Sequence, residues 1–166
     1  MDQYRINHEK RIGGENMVDK KDENKWIAGK NMPENMIYAC FGAMSNTGLA
    51  TGLASIEAVD AVGLQKAGIG CLGGLSTKLP TVLGKSAASK KIITVDGCPA
   101  ECSRKIVEAA GYKVTKSIML ARDVPMKKKS MGDDIESGTT KPMRAYLSDE
   151  EIKKAKEVIV KAILED

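Results

Sequence analysis

Aromatic residues and histidine are scarce in this sequence. Its 166 residues include one Trp, one Phe, four Tyr and one His, and aromatic side chains make up 4% of the chain. The core must therefore rest on aliphatic side chains and methionine. The chain has no aromatic platform on which bases could stack, and its net charge of +4 is too small to indicate a nucleic-acid footprint. We therefore expect no nucleic-acid partner.

Long hydrophobic runs are also missing. No apolar stretch approaches the ~20 residues that a membrane-spanning helix needs, and residues 1–5 lack the apolar core of a signal peptide. We therefore expect a cytoplasmic protein without a membrane partner. Because the cytoplasm is reducing, the four cysteines of the chain are expected to bind a metal or to act in catalysis rather than to form disulfides.

A change in composition divides the chain into an extension and one domain. Residues 1–34 are polar and without periodicity, which predicts a flexible extension in which His8 is solvated rather than a metal ligand. Residues 35–166 are sufficient for a single domain with a hydrophobic core.

The last part of this domain is predicted to hold a long loop and a final helix. Residues 122–145 are polar, which predicts a long loop whose lysine run, residues 127–129, is solvated. The segment 148–164 is predicted to be a helix that packs on the sheet, because Ser148 and Glu151 form a capping box ahead of an apolar stripe.

Short apolar runs alternate with helical segments along the domain. Strands are predicted at residues 36–40, 69–72, 92–95 and 114–120, and helices at about 46–66, 80–89, 99–110 and 148–164. This order is typical of a parallel sheet whose crossover helices cover it. The predicted fold class is therefore three-layer α/β, with a mostly parallel four-stranded sheet and helices on both faces.

All four cysteines fall at the ends of predicted strands. Cys40 ends the first strand and Cys71 the second, whereas Cys98 and Cys102 follow the third. The carboxyl ends of parallel strands meet at one edge of a sheet, where open α/β sheets bind their ligands. Neighbouring strands lie ~4.8 Å apart, and zinc holds sulfur ligands at ~2.3 Å, so these side chains can surround one ion. The sequence therefore predicts a four-cysteine metal site, with zinc as the metal.

The stretch around the third strand contributes two of these sulfurs. Pro99 suits the first position of a helix, which would make Cys98 its N-cap and place Cys98 and Cys102 on one helix face. Gly97 is expected to permit the bend that precedes this helix. Asp96 is expected either to cap the turn or to act directly in the site.

Glycine-rich loops are expected to support the negatively charged thiolates. Backbone N–H groups near Gly42 and near Gly73-Gly74 are in positions to donate hydrogen bonds around a zinc site that carries four negative sulfurs.

These residues resemble the DGC-domain family, whose members carry an Asp-Gly-Cys motif and four cysteines from which zinc binding has been inferred. The motif here is Asp96-Gly97-Cys98, followed by Cys102. Cys40 with Gly42 is similar to the family's Cys-x-Gly loop, and Cys71 also matches, following a glycine as in the family. The resemblance covers the chain from residue 36 to the final helix. It implies a metal site at the four cysteines, and it implies no particular activity.

The residues leave several functions open. A zinc ion with four protein ligands has no open position for water, which favours a structural, regulatory or metal-handling role. The same thiolates suit an iron–sulfur cluster, and Cys98 with Cys102 suits a redox dithiol. An enzyme with Cys40 as the nucleophile of a Gly/Ser/Thr loop is a further alternative, although residues 41–51 offer no arginine to bind an anion.

Overall fold

The structure, a computed structural model, describes residues 32–42 and 44–165. The flexible extension predicted for residues 1–34 and the solvated His8 therefore fall almost wholly outside the described residues. The domain predicted from residue 35 onward begins with the first strand of the sheet.

A four-stranded, all-parallel sheet forms the centre of the domain, as the sequence predicts. Its strands are β1 (Asn35–Ala39), β2 (Ala67–Ile69), β3 (Lys91–Asp96) and β4 (Lys116–Met119). They lie in the order β2-β1-β3-β4. The two central strands are thus β1 and β3, which are paired along five residues from Asn35↔Lys91 to Ala39↔Val95.

Helices connect and follow the strands. In the described residues they are α1 (Asn46–Val62), α2 (Leu72–Ser76), α3 (Pro80–Ala88), α4 (Cys102–Ala109), α5 (Leu120–Asp123), α6 (Gly132–Glu136), a 3₁₀ turn (Met143–Tyr146) and α7 (Asp149–Leu164). The final helix begins where predicted, because the side chain of Ser148 accepts a hydrogen bond from the Glu151 N–H at 3.4 Å. None of the described helices combines the length and the apolar character needed to cross a membrane.

Helices cover both faces of the sheet, which confirms the α/β class and its three layers. On one face, α1 and α7 pack against Ile37, Ile93 and Val95. On the other, Leu75 of α2 and Val107 of α4 pack around Tyr38, whose hydroxyl lies 2.5 Å from Ser86 Oγ of α3. Alternate residues of each central strand therefore serve opposite cores, as expected for strands buried on both sides.

The segment predicted as a long loop at 122–145 has more structure than its composition suggests. It contains α6 and the 3₁₀ turn, and it buries three apolar side chains, those of Val124, Met126 and Met131. Pro125 separates the first two, and the lysine run with Ser130 separates the second from the third, so no periodic apolar pattern indicates their burial. The segment is thus tied to the core at several points although most of its residues are exposed.

Candidate metal centre

The candidate site lies where the chain leaves the two central strands. From β1 the chain turns into α1 and proceeds to β2, whereas from β3 it turns into α4 and proceeds to β4 on the other side. Such a change of direction opens a crevice at the carboxyl edge of a parallel sheet, the usual ligand site of this architecture. Cys40 directly follows β1, and its N–H donates to Val95 O of β3 at 2.9 Å.

Cys40 lies among other candidate residues in this crevice. Its thiol is partly buried, and the thiol of Cys102 lies close enough to influence its pKa. Burial raises the pKa of the Cys40 thiol to about 11, and the nearby Cys102, Asp96 and Cys98 act in the same direction. The structure therefore brings sulfurs from the β1 and β3 loops together, and it disfavours a free thiolate at Cys40.

Cys71 occupies the neighbouring loop after β2. It is the N-cap of α2, and its exposed sulfur accepts a hydrogen bond from the Gly74 N–H at 3.2 Å. The donor expected near Gly73-Gly74 is thus present, whereas Gly42 makes no such bond to a sulfur in the described part of the chain. Residues 32–42 and 44–165 contain no group of three or more His, Cys, Asp or Glu side chains arranged to hold a metal ion.

The turn that carries Cys98 differs from the prediction. The helix begins at Cys102 rather than at Pro99, so Cys98 is not its N-cap and the two cysteines do not share a helix face. Instead, the Glu101 N–H donates to Cys98 O at 3.1 Å and closes a turn, with Glu101 at a φ of 48°. A proline fits the second position of such a turn as readily as the first position of a helix.

Asp96 explains where the helix starts. Its carboxylate is 1% exposed and accepts hydrogen bonds from the N–H groups of Ser103 at 2.8 Å and of Arg104 at 3.2 Å. The last residue of β3 thereby caps the first turn of α4 and fixes Cys102 relative to the sheet. Burial raises the pKa of Asp96, although these two hydrogen bonds oppose the shift. Of the two roles considered for Asp96, the structure shows capping, of a helix rather than of the turn.

Replacement of Asp96 by alanine is expected to lower the free energy of unfolding by about 1–3 kcal/mol, because two buried N–H groups lose their acceptor. Asp96→Asn retains one acceptor oxygen and should lose less. Urea denaturation of the metal-free protein measures both. Asp123→Ala is the control, since Asp123 also accepts a backbone N–H, from Met119 at 2.8 Å, but at an exposed position. Equal losses at positions 96 and 123 would contradict the capping role.

Gly97 lies at a bend where the backbone closely approaches α1. A Cβ on Gly97 would lie 2.8 Å from the backbone carbonyl carbon and oxygen of Thr47, at the start of α1. The chain bends at this residue, as the sequence predicts, although its φ is not in the left-handed region. The end of β3 packs directly on the helix that follows Cys40.

Thr51 is a site residue that the sequence reasoning missed. Its fully buried hydroxyl lies within hydrogen-bond distance of Cys40 O and, at 2.8 Å, of Gly48 O. It ties the backbone of Cys40 to the first turns of α1. The only available signal was a polar residue within an otherwise small and apolar part of the helix.

The protein is therefore an α/β protein with an open parallel sheet. Its candidate site consists of cysteines at the switch point, the place between β1 and β3 where the connections change direction. The chain belongs to the DGC domain family, whose family model matches residues 36–159 and includes all four cysteines. It is also similar to the anaerobic and virulence modulator AnvM of Pseudomonas aeruginosa, with 28% identity over 105 residues, which are 63% of this chain and 76% of that protein. No solved structure matches the chain.

Proposed function

We propose that the protein binds one zinc ion per chain through the thiolates of Cys40, Cys71, Cys98 and Cys102. The observation that carries the proposal is the shared sheet edge, because Cys40 follows β1, Cys71 follows β2, and Cys98 and Cys102 follow β3, close enough to Cys40 to raise its pKa. Thiolates at one sheet edge repel each other, and a divalent cation is the natural compensation. The role is structural, regulatory or metal-handling, because four protein ligands leave no position for a reacting water.

The donor set fits zinc in chemistry, since it is made of sulfur alone and lies at one sheet edge. Cys71 and Cys102 are exposed, so their thiols are accessible to an incoming ion. The Gly74 N–H already donates to the Cys71 sulfur, a contact that stabilises a thiolate. Asp96 and Thr51 hold the backbone near Cys102 and Cys40, which reduces the ordering that metal binding must supply. When bound, zinc would link the three loops that follow β1, β2 and β3.

Elemental analysis of protein purified without chelator tests this proposal. We expect about one zinc per chain, with no visible absorption band. Stoichiometric iron with absorbance near ~400 nm would instead indicate that the same thiolates bind an iron–sulfur cluster. Folded protein that contains no metal, and that fails to take up added zinc, would overturn both.

A redox dithiol is the second candidate, and the influence of Cys102 on the pKa of Cys40 favours these two thiols as the pair. This pair differs from the expected one, because the sequence suggested Cys98 with Cys102. This candidate requires a reversible disulfide between Cys40 and Cys102 in metal-free protein, which peptide mass spectrometry can identify. A nucleophilic Cys40 is less well supported, since a nucleophile needs a lowered thiol pKa and this one is raised.

A further inference from the structure

Residues 126–131, which we call the lysine strap, run beside the loop that follows Cys40. The strap is anchored at both ends, because Met126 and Met131 are buried in the described structure. Between these anchors, Lys127, Lys128 and Lys129 are exposed. Ser130 forms an antiparallel bridge with Ser45, and the Met131 N–H donates to Met44 O at 2.7 Å. The backbone of the lysine run is therefore attached to the site loop, whereas its side chains are exposed to solvent, as predicted.

A buried asparagine holds the backbone of the strap. Asn46, at the start of α1, is 2% exposed, and its Nδ2 donates to Lys127 O at 3.0 Å. Its Oδ1 accepts from the Lys129 N–H at 2.7 Å, and its own N–H donates to Lys129 O at 3.3 Å. The lysines thus project from a fixed backbone, so a partner would not have to order it.

The positive charge of the strap is not neutralised by its surroundings. Within residues 32–42 and 44–165, the ion pairs involve other lysines and arginines, and none includes residues 127–129. Three adjacent ammonium groups at a fixed position create a local positive potential that attracts an acidic ligand.

Exposed apolar side chains belong to the loop to which the strap is attached. Met44, which accepts the Met131 hydrogen bond, is 53% exposed and has a φ of 48°. Phe41, the only phenylalanine of the chain, belongs to the same loop and is 66% exposed. Exposed Phe and Met beside a fixed basic segment are typical of protein-recognition surfaces, which combine apolar anchors with charge.

We infer that the lysine strap, with Met44 and Phe41, is a docking surface for an acidic protein segment that carries an apolar side chain. Charge complementarity selects the acidic partner, and the exposed Met and Phe select one with an apolar anchor. Nucleic acid fits less well, because its phosphate backbone offers no apolar side chain that the exposed Met44 could contact. The inference does not depend on the metal.

The test uses the full chain and a short fluorescein-labelled peptide of glutamates around a central Leu-Phe pair. Fluorescence anisotropy should show binding that weakens as salt rises from about 50 mM to about 200 mM. The variant K127Q/K128Q/K129Q should bind the peptide about tenfold more weakly. Met44→Asn should weaken binding several-fold, and asparagine tolerates the positive φ at that position.

The matched control is K85Q/K113Q/K153Q, which removes the same charge from exposed lysines elsewhere on the domain. It should change peptide affinity by less than about twofold, because exposed charges at a distance are screened by salt. Equal losses of peptide affinity in the two triple variants would mean that binding depends only on net charge, which would overturn the proposal. So would an absence of peptide binding at low salt, or tighter binding of a single-stranded oligothymidylate, which would make the surface a nucleic-acid site.

Discussion

Replacing Cys40 by serine is expected to lower zinc affinity by at least about 100-fold. Loss of a residue that only hydrogen-bonds a metal ligand typically lowers metal affinity by about 10–100-fold, and Cys40 would be a ligand itself. Cys40 follows β1, which lies between the strands that precede Cys71 and Cys98, so it holds the middle position of the proposed set. Cys98→Ser should cause a similar loss. The measurement is competition for zinc against a chelator of known affinity, with circular dichroism to show that each variant is folded.

Cys71→Ser separates two versions of the site. Cys71 lies after the edge strand β2, and its sulfur already has a partner in the Gly74 N–H. If zinc has four sulfur ligands, this variant should lose affinity as the others do. If affinity is unchanged, the site has three cysteine ligands and one position open for chemistry. Ser76→Ala, in α2 close to Cys71, is the control and should retain zinc. Full retention in all three cysteine variants would show that zinc binds elsewhere.

The sheet and the shared edge of the cysteines could be predicted because both follow from simple periodicity. Strands buried on both faces are short apolar runs, and β1 and β3 show such runs clearly. Once the strands are parallel, their carboxyl ends must lie together, and the positions after Ala39, Ile69 and Asp96 become neighbours. No side-chain detail is needed for this part of the argument.

The packing of α1 could not be predicted in the same way. Large aliphatic residues recur at helical spacing in its sequence and predict its buried face: Leu49, Leu53, Ile56, Val59 and Val62. In the structure Ile56 is 49% exposed, whereas Ala50, Ala54 and Ala58 are completely buried against the sheet and α7. These alanines recur every four residues and bring α1 close to its neighbours. A hydrophobic pattern underestimates such a face, because small residues contribute little apolar area although they permit close packing.

The predicted start of α4 was wrong for a different reason. The sequence offers Pro99 as a helix opener, and that local preference is real. The outcome depends on Asp96, which reaches the N–H groups of Ser103 and Arg104 from the end of the strand. A capping contact across seven and eight positions is tertiary, so local propensity cannot reveal it. The same interaction determines where Cys102 lies, which is why the detailed geometry of the sulfurs also escaped prediction.

Gly48→Ala is expected to lower the free energy of unfolding by about 3 kcal/mol or more, because inserting a methyl group into a closed site forces the backbone to move. A Cβ at this position would lie 1.8 Å from the carbonyl oxygen of Gly42, in the loop that follows Cys40. Alanine favours a helix by only about 1 kcal/mol over glycine, which cannot offset this clash. Zinc affinity should fall too, since the displaced loop begins at Cys40.

Gly73→Ala is the matched control for this substitution. Gly73 also lies in a helix, α2, but the nearest atom to an added Cβ is the Cys71 sulfur at an ordinary 3.8 Å. Without a clash, the helix preference should dominate and raise the free energy of unfolding by up to about 1 kcal/mol. Urea denaturation of the metal-free proteins should therefore give changes of opposite sign. A Gly48→Ala protein as stable as the unmodified chain would mean that the loop after Cys40 is not packed against α1, and the support inferred for Cys40 would be lost with it.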